Sequence, residues 1–278
     1  GILLDPGEGT QRQLSMAGIP VSTIDRICIT HAHGDHCLGL PGVLQRLALD
    51  GIGAPVTIHH PHAASPYIDA LCHASASAST AAFRTAPTGA GVVSTDEPLE
   101  VHARELSHAI PTLGWRFVQP PGVRLLPDRL EAVGIPPAAR SELVDRGELQ
   151  LHGRRIRLEE VSAPRRRASI AHVMDTRLCD GAFELAADVD LLLIEATFLE
   201  SERDVAAASG HLTAAQAARI GRDAGARRVV LTHLSRRYPG TQAHLAEARA
   251  AATDLDINVA AELDVVPLVG PVGTVRPR

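Results

Sequence analysis

The fold class this sequence predicts is α/β, a sandwich with sheets inside and helices outside, and three observations lead to it. Short β-branched apolar runs alternate with stretches of helical periodicity along most of the 278 residues. Gly210-His211-Leu212-Thr213 places a capping threonine three residues before Gln216, which is capping-box spacing and marks a helix start. Chemistry-bearing residues recur just past the ends of the apolar runs, where a rigid sheet builds its sites. Hydrophobic residues make up 45% of the chain, enough to fill a sizeable core.

In chain order, strands are expected at residues 2–4, 26–30, 56–59, 99–106, 115–118, 156–161, 169–174, 190–194, 228–232 and 264–268. Helical spacing fits 41–49, 213–224 and 241–253, the last also opening on a threonine, Thr241, in capping position. Residues 72–91, rich in Ala, Ser and Thr, predict a surface excursion. Residues 119–167 interrupt the alternation with Pro120-Pro121 and Pro136-Pro137, and carry ten arginines against seven acidic residues. The expectation is one domain over 1–278 with a net-positive arm inserted at about 119–167.

Composition excludes several classes. The formal charge of −5 gives no global sign of nucleic-acid binding, so RNA contact requires a local patch. Lysine is absent, and arginine carries all the basic charge. No apolar run approaches the roughly 20 residues of a membrane span, and no signal-peptide pattern is present. The four cysteines (Cys28, Cys37, Cys72, Cys179) lack CxxC spacing and read as free thiols in a reducing compartment, which points to a cytoplasmic protein.

The densest chemistry lies in Thr30-His31-Ala32-His33-Gly34-Asp35-His36, directly after a strand. Three imidazoles and a carboxylate in one tight loop are the donor mixture a borderline-soft divalent ion prefers. In extended chain His31 and His33 point the same way; Asp35 and His36 fall a step later and suit a second ion. Other strands run into His108, Asp175, Glu195 and His233. Collecting His31, His33 and His108 around one ion and Asp35, His36 and His233 around another leaves Asp175 as a shared carboxylate. Taken singly, each remote residue also has a structural reading, Asp175 as a turn residue before Thr176. His59, His60 and His62 form a second cluster that nothing completes, and read as strand-end or surface groups. His73, His102, His152, His172 and His244 read as structural.

At this point the chain resembles the ribonuclease Z family, metallo-β-lactamase-fold endonucleases that mature tRNA 3′ ends. The matching stretches run in family order: Asp5-Pro6-Gly7-Glu8-Gly9-Thr10-Gln11-Arg12-Gln13, THAHGDHCLGL at 30–40, Ser107-His108 through Trp115, Asp175-Thr176-Arg177, Glu195-Ala196-Thr197, Gly210-His211-Leu212-Thr213 and Leu231-Thr232-His233-Leu234-Ser235 with Arg237-Tyr238. The HxHxDH element marks only the superfamily; GEGTQRQ and His211-x-Thr213 mark the tRNA-processing branch. The resemblance implies an αββα sandwich and two zinc ions per subunit, with manganese or iron compatible with the same ligands. It assigns His31, His33 and His108 to one ion and Asp35, His36 and His233 to the other, with Asp175 bridging. It also implies that Asp35 orients or deprotonates the attacking water, and that His211, paired to Glu195, protonates the leaving 3′ oxygen.

The implied partner is precursor tRNA, cut to leave a 3′-hydroxyl, by a homodimer; neither DNA nor membrane is expected. Arg154, Arg155, Arg157, Arg165, Arg166 and Arg167 are the candidates for phosphate contacts in the arm. Several departures stand out. Asp5-Pro6 replaces the usual Asp-Cys, Ile194 and Met174 stand where His and Gly are common, and the arm lacks the Gly-Pro-Leu-Tyr-Gly-Lys-Leu-Lys pattern. The family's opening strand and FLGTG-type loop precede the matched region, so the first sheet is expected to end in an exposed edge. Two rival readings are a hydrolase of the same fold acting on small phosphodiesters, thioesters or lactones, and a non-catalytic RNA-binding protein.

Overall fold

Arg26–Cys28 pairs in parallel with Ile2–Leu4 on one side and with Val56–Pro61 on the other, and Phe83–Thr88 completes a four-stranded parallel sheet in the computed structural model. The structure describes residues 1–75, 82–95, 99–151, 153–268 and 273–274; His152 therefore lies outside the described residues. The period-two alternation decides which way each side chain points. Ile27, Ile29 and Ile58 pack against Leu40, Val43, Leu44, Leu47 and Ile68 of the outer helices Leu40–Leu49 and Ser65–Cys72, whereas Cys28 faces the opposite way.

The second sheet has seven strands, in the spatial order Asp256–Val259, Arg228–Thr232, Leu191–Glu195, Ser169–Val173, Thr112–Val118, Glu100–Leu106 and Gly91–Ser94. The first four run parallel to one another, and Ser169–Val173 meets Thr112–Val118 antiparallel. Cys28, Val101, Ala103, Leu113, Trp115 and Phe117 fill the space between the sheets. On the outer face of the second sheet, Ala182 and Leu185 of the helix Asp180–Ala186 and Ala214, Ala217, Ala218 and Ile220 of Ala214–Asp223 cover Ala171, Val173, Leu192, Ile194, Val229 and Leu231. The αββα layering expected from the alternation is therefore present.

Thr213 caps Ala214–Asp223 as expected: Gln216 N donates to its Oγ1 at 3.2 Å and Thr213 N donates to Gln216 Oε1 at 2.9 Å. Thr241 does not cap Gln242–Ala251; its backbone is already helical and its side chain makes no capping bond. Residues 83–88, expected within the surface excursion over 72–91, form a strand paired to Val56–Pro61, and a further strand over 91–94, where none was expected, pairs with Glu100–Leu106. Their side chains are mostly half-exposed, so no apolar alternation betrays them. His59 and His60 lie buried within a strand rather than at its end or on the surface. Ile2–Leu4 is the outer strand of its sheet among the described residues.

Gln119–Ala168 forms a compact unit of its own. Its strands Glu148–Leu151 and Arg154–Arg157 make an antiparallel hairpin, and Val123–Leu125 pairs with Ser162–Pro164. Leu130, Ile135, Leu143, Leu149, Ile156 and Val161 supply a small core. The strand expected over 156–161 stops at Arg157, where a 3-10 turn over Leu158–Glu160 begins. No helix among the described residues is long and apolar enough to cross a membrane.

Candidate metal centre

The motif loop is held from behind. Asp5, just past the first strand, accepts from Thr30 N at 2.7 Å and Thr30 Oγ1 at 2.8 Å, and lies 3.0 Å from His36 Nδ1 and 3.3 Å from His172 Nε2. Leu113 N donates to Thr30 O at 2.9 Å and ties the loop to the second sheet. His33 precedes the short helix Gly34–Cys37, which presents Asp35 and His36. The preceding loop backs so closely onto this helix that a Cβ on Gly7 would lie 2.1 Å from Asp35 O, and one on Gly39 1.9 Å from Gly7 O. Both positions therefore demand glycine.

His31, His33, His108 and Asp175 form one group of donors and Asp35, His36 and His233 a second. In the first, His31 Nε2 lies 2.9 Å from His33 Nδ1, and His108 Nε2 lies 3.3 Å from the same atom. In the second, Asp35 Oδ2 lies 3.5 Å from both His36 Nε2 and His233 Nε2. The Asp175 carboxylate is divided between them. Its Oδ2 faces His31 Nε2 at 3.5 Å and His108 Nε2 at 3.7 Å; its Oδ1 faces His36 Nε2 at 3.4 Å and His233 Nε2 at 3.3 Å.

These residues fit two divalent ions. Tetrahedral bonds of about 2.0–2.1 Å place neighbouring donors about 3.3 Å apart, close to the spacings above. Asp175 Oδ1 and His36 Nε2 are buried without a hydrogen-bond partner, a costly state unless a cation satisfies them. The opposite ring nitrogens are committed as a metal site requires. His36 Nδ1 faces Asp5, and His108 Nδ1 donates to Gly210 O at 2.8 Å. His31 Nδ1 lies 3.0 Å from Thr30 Oγ1 and His233 Nδ1 3.0 Å from Thr197 Oγ1. With each Nδ1 carrying its proton, each of these Nε2 atoms offers a lone pair to the cluster. His33 differs in offering Nδ1.

Electrostatics follow from burial and proximity. Burial lowers His31 to about 3 and keeps it neutral. Burial would raise Asp175, but His36 and His233 hold it well below the usual carboxylate range. The bond to His233 brings Asp35 down to about 2. Asp5, Asp175 and His233 all adopt positive φ, at 43°, 46° and 56°. Left-handed backbone at such residues costs roughly 1–3 kcal/mol each and collects where a site must be aimed.

Glu195 is the last residue of its strand rather than the first beyond it, and it is fully buried. Its Oε1 accepts from Thr176 N at 2.6 Å and lies 3.0 Å from His211 Nδ1. Its Oε2 accepts from Thr197 Oγ1 at 2.6 Å, Leu212 N at 3.1 Å and Thr197 N at 3.3 Å. With Nδ1 turned to Glu195, Nε2 of His211 is left free; the ring stacks on His233 at 5.6 Å and meets His108 edge-on at 5.1 Å. His211 also has a ring nitrogen within 4.8 Å of donors on Asp175 and His233. Gly210, at φ 86°, aims its own carbonyl at His108 Nδ1, and a Cβ there would stand 2.7 Å from that nitrogen.

All nine expected residues of the centre thus converge. Sequence reasoning missed the supporting roles of Asp5, Thr176 and Thr197: each lies in a family-matching stretch, Asp5–Gln13, Asp175-Thr176-Arg177 and Glu195-Ala196-Thr197, but spacing alone does not show what its side chain holds. In the inserted unit Arg154, Arg155 and Arg157 are exposed and ion-paired, with Glu160 at 3.1 Å, with Glu148, and with Glu159 at 3.5 Å. Arg165 and Arg166 are exposed, and Arg167 Nε donates to Gln119 O at 2.6 Å.

Residues 1–127 match the family model described as the metallo-beta-lactamase superfamily, and residues 155–234 that of a beta-lactamase superfamily domain. Ribonuclease Z of Nocardia farcinica is 48% identical over 270 residues, covering 96% of this chain and 88% of that protein. The chain belongs to the ribonuclease Z family. Ribonuclease Z of Salinispora arenicola is 49% identical over 268 residues, 95% of this chain and 86% of that one. Among solved structures, the short form of human tRNase Z superposes with a TM-score of 0.63 at 23% identity, over 99% of this chain and 88% of its own. The metallo-beta-lactamase fold protein YhfI of Bacillus subtilis superposes at 0.65 and 15% identity, over 94% and 84%. These two likenesses bear on fold alone. As in the ribonuclease Z family at large, the fold is that of a metal-dependent hydrolase.

Proposed function

We propose that this chain is a zinc-dependent endoribonuclease that removes the 3′ trailer of precursor tRNA and leaves a 3′-hydroxyl on the tRNA. Membership of the ribonuclease Z family supports the substrate. The observation that carries the chemistry is the Glu195–His211 pair, set against a donor cluster already complete for two ions.

His31, His33 and His108 would hold one zinc ion and Asp35, His36 and His233 the other, with Asp175 in reach of both groups. Bound there, the pair would polarise the scissile phosphodiester and lower the pKa of the attacking water. Asp35, ionised and 66% exposed at its side chain, accepts a hydrogen bond from that water and aims it at phosphorus. His211, as imidazolium, gives its Nε2 proton to the leaving 3′ oxygen. The buried Glu195 carboxylate fixes the ring through Nδ1. Thr197 passes the influence of Glu195 on to His233, since its hydroxyl donates to the carboxylate and accepts from His233 Nδ1.

The inserted unit 119–168 contributes backbone phosphate contacts through Arg154, Arg155, Arg157, Arg165, Arg166 and Arg167. Exposed ion pairs are worth about 0–1 kcal/mol, so an incoming phosphate displaces their carboxylates readily. Family resemblance supports a homodimer working in the cytoplasm as part of the same proposal. Incubating the zinc-loaded protein with a 3′-extended precursor tRNA and with a chromogenic phosphodiester tests it. The expected result is one cut after the discriminator base, abolished by Asp35→Ala; hydrolysis of the small ester alone would overturn it.

A further inference from the structure

The cluster opens on one flank into a cleft of about 350 Å³ lined by Ala32, His33, Ala63, Ala64, Tyr67, Ile110 and Pro111. His33 is both a metal-ligand candidate and a wall of this cleft, so whatever fills it lies beside the reacting phosphate. The lining is small and apolar apart from His33 and Tyr67. Tyr67 is 63% exposed, unusual for so large a ring, in the first turn of Ser65–Cys72. That helix is firmly seated by Ile68 and Cys72, both fully buried, so the ring stands on a rigid support. An exposed aromatic above a small apolar floor is a stacking platform for an unpaired base.

We propose that Tyr67 stacks on the base of the first trailer nucleotide, immediately 3′ of the scissile bond, and so sets the register of the cut. This rests on the ribonuclease function proposed above. The side of the cleft decides which nucleotide it takes. His211 and Glu195, which serve the leaving 3′ oxygen, come from the second sheet and its connections; Tyr67 and the His31–His36 loop belong to the first. A cut that leaves the 3′ oxygen with the tRNA keeps the trailer on phosphorus through its 5′ oxygen. The trailer takes the flank away from His211, a cleft walled chiefly by first-sheet residues with Ile110 and Pro111 from a second-sheet connection.

A stack formed equally in ground and transition states raises KM without changing kcat when it is lost. Tyr67→Ala is therefore expected to raise KM for a 3′-extended precursor on the order of ten- to a hundredfold, the span of one base–aromatic stack. kcat and metal content stay constant, and Tyr67→Phe and Tyr67→Trp retain wild-type KM. An abasic residue at the first trailer position should impose the same penalty on wild type and erase the difference from Tyr67→Ala. An abasic discriminator position should leave that difference intact. An unchanged KM in Tyr67→Ala, or a penalty erased only by the abasic discriminator, overturns the assignment.

Binding of an RNA carrying 2-aminopurine at the first trailer position reads the stack without cleavage. Quenching by wild type and not by Tyr67→Ala supports the assignment, and binding without quenching overturns it. A protein that quenches but does not cut would overturn the functional reading alone.

Discussion

Glu195 Oε1 lies 3.0 Å from His211 Nδ1, and both oxygens of this buried carboxylate are filled by backbone and hydroxyl donors. Such a group cannot turn to solvent, so the imidazole it holds is aimed by the fold itself. The consequence is an imidazole held with a ring nitrogen within 4.8 Å of donors on Asp175 and His233, which is where the proposed acid must stand.

His211→Ala is expected to lower kcat for precursor tRNA on the order of 10²–10⁴-fold while leaving metal content intact. A substrate with sulfur in place of the leaving 3′ oxygen needs no acid, and on it the variant should approach wild-type rate. Single-turnover cleavage of both substrates measures this; an equal loss on both would contradict the acid role.

Asp175→Ala should cost both ions and not one, because its two oxygens face different histidine groups. Elemental analysis of the purified variant is expected to show well below one equivalent of metal, against two in wild type. The loss of ligand-linked stabilisation lowers its Tm to that of chelator-treated wild type.

Gly210→Ala places a Cβ where φ is 86° and His108 Nδ1 is 2.7 Å away. Strain and displacement of a ligand act together, and a loss of about 1–3 kcal/mol is expected in denaturant titration. Activity should fall further than stability, because His108 loses its carbonyl partner.

Replacing Arg165 and Arg166 by alanine, both exposed in the inserted unit, should weaken precursor binding without affecting hydrolysis of a small phosphodiester. The slope of log affinity against log salt should flatten by roughly 0.9 for each phosphate contact removed. Filter binding across a salt series measures it; an unchanged slope would place the RNA path elsewhere.

The sandwich and the first half of the candidate donor set were legible in side-chain chemistry at short spacing, whereas His108, Asp175 and His233 were legible only from their places at strand ends and from the family resemblance. His31, His33, Asp35 and His36 share a loop, and Thr213 with Gln216 shows its capping box in three residues. What depended on backbone pairing was silent. Phe83–Thr88 is a strand because Val56–Pro61 offers it an edge, while its own side chains alternate only weakly. Thr241 carries a capping residue's identity without its geometry, because its backbone is already helical. Asp5 was quoted for its motif, yet its partnership with Thr30, His36 and His172 exists only once distant strands meet.

The central claim, metal-assisted hydrolysis with His211 protonating a 3′ oxygen, is tested most directly by the chemistry of the cut ends. End-mapping of a 3′-extended precursor tRNA cleaved by the zinc-loaded protein should give a 3′-hydroxyl on the tRNA and a 5′-phosphate on the trailer. A 2′,3′-cyclic phosphate on the tRNA with a 5′-hydroxyl on the trailer would contradict it.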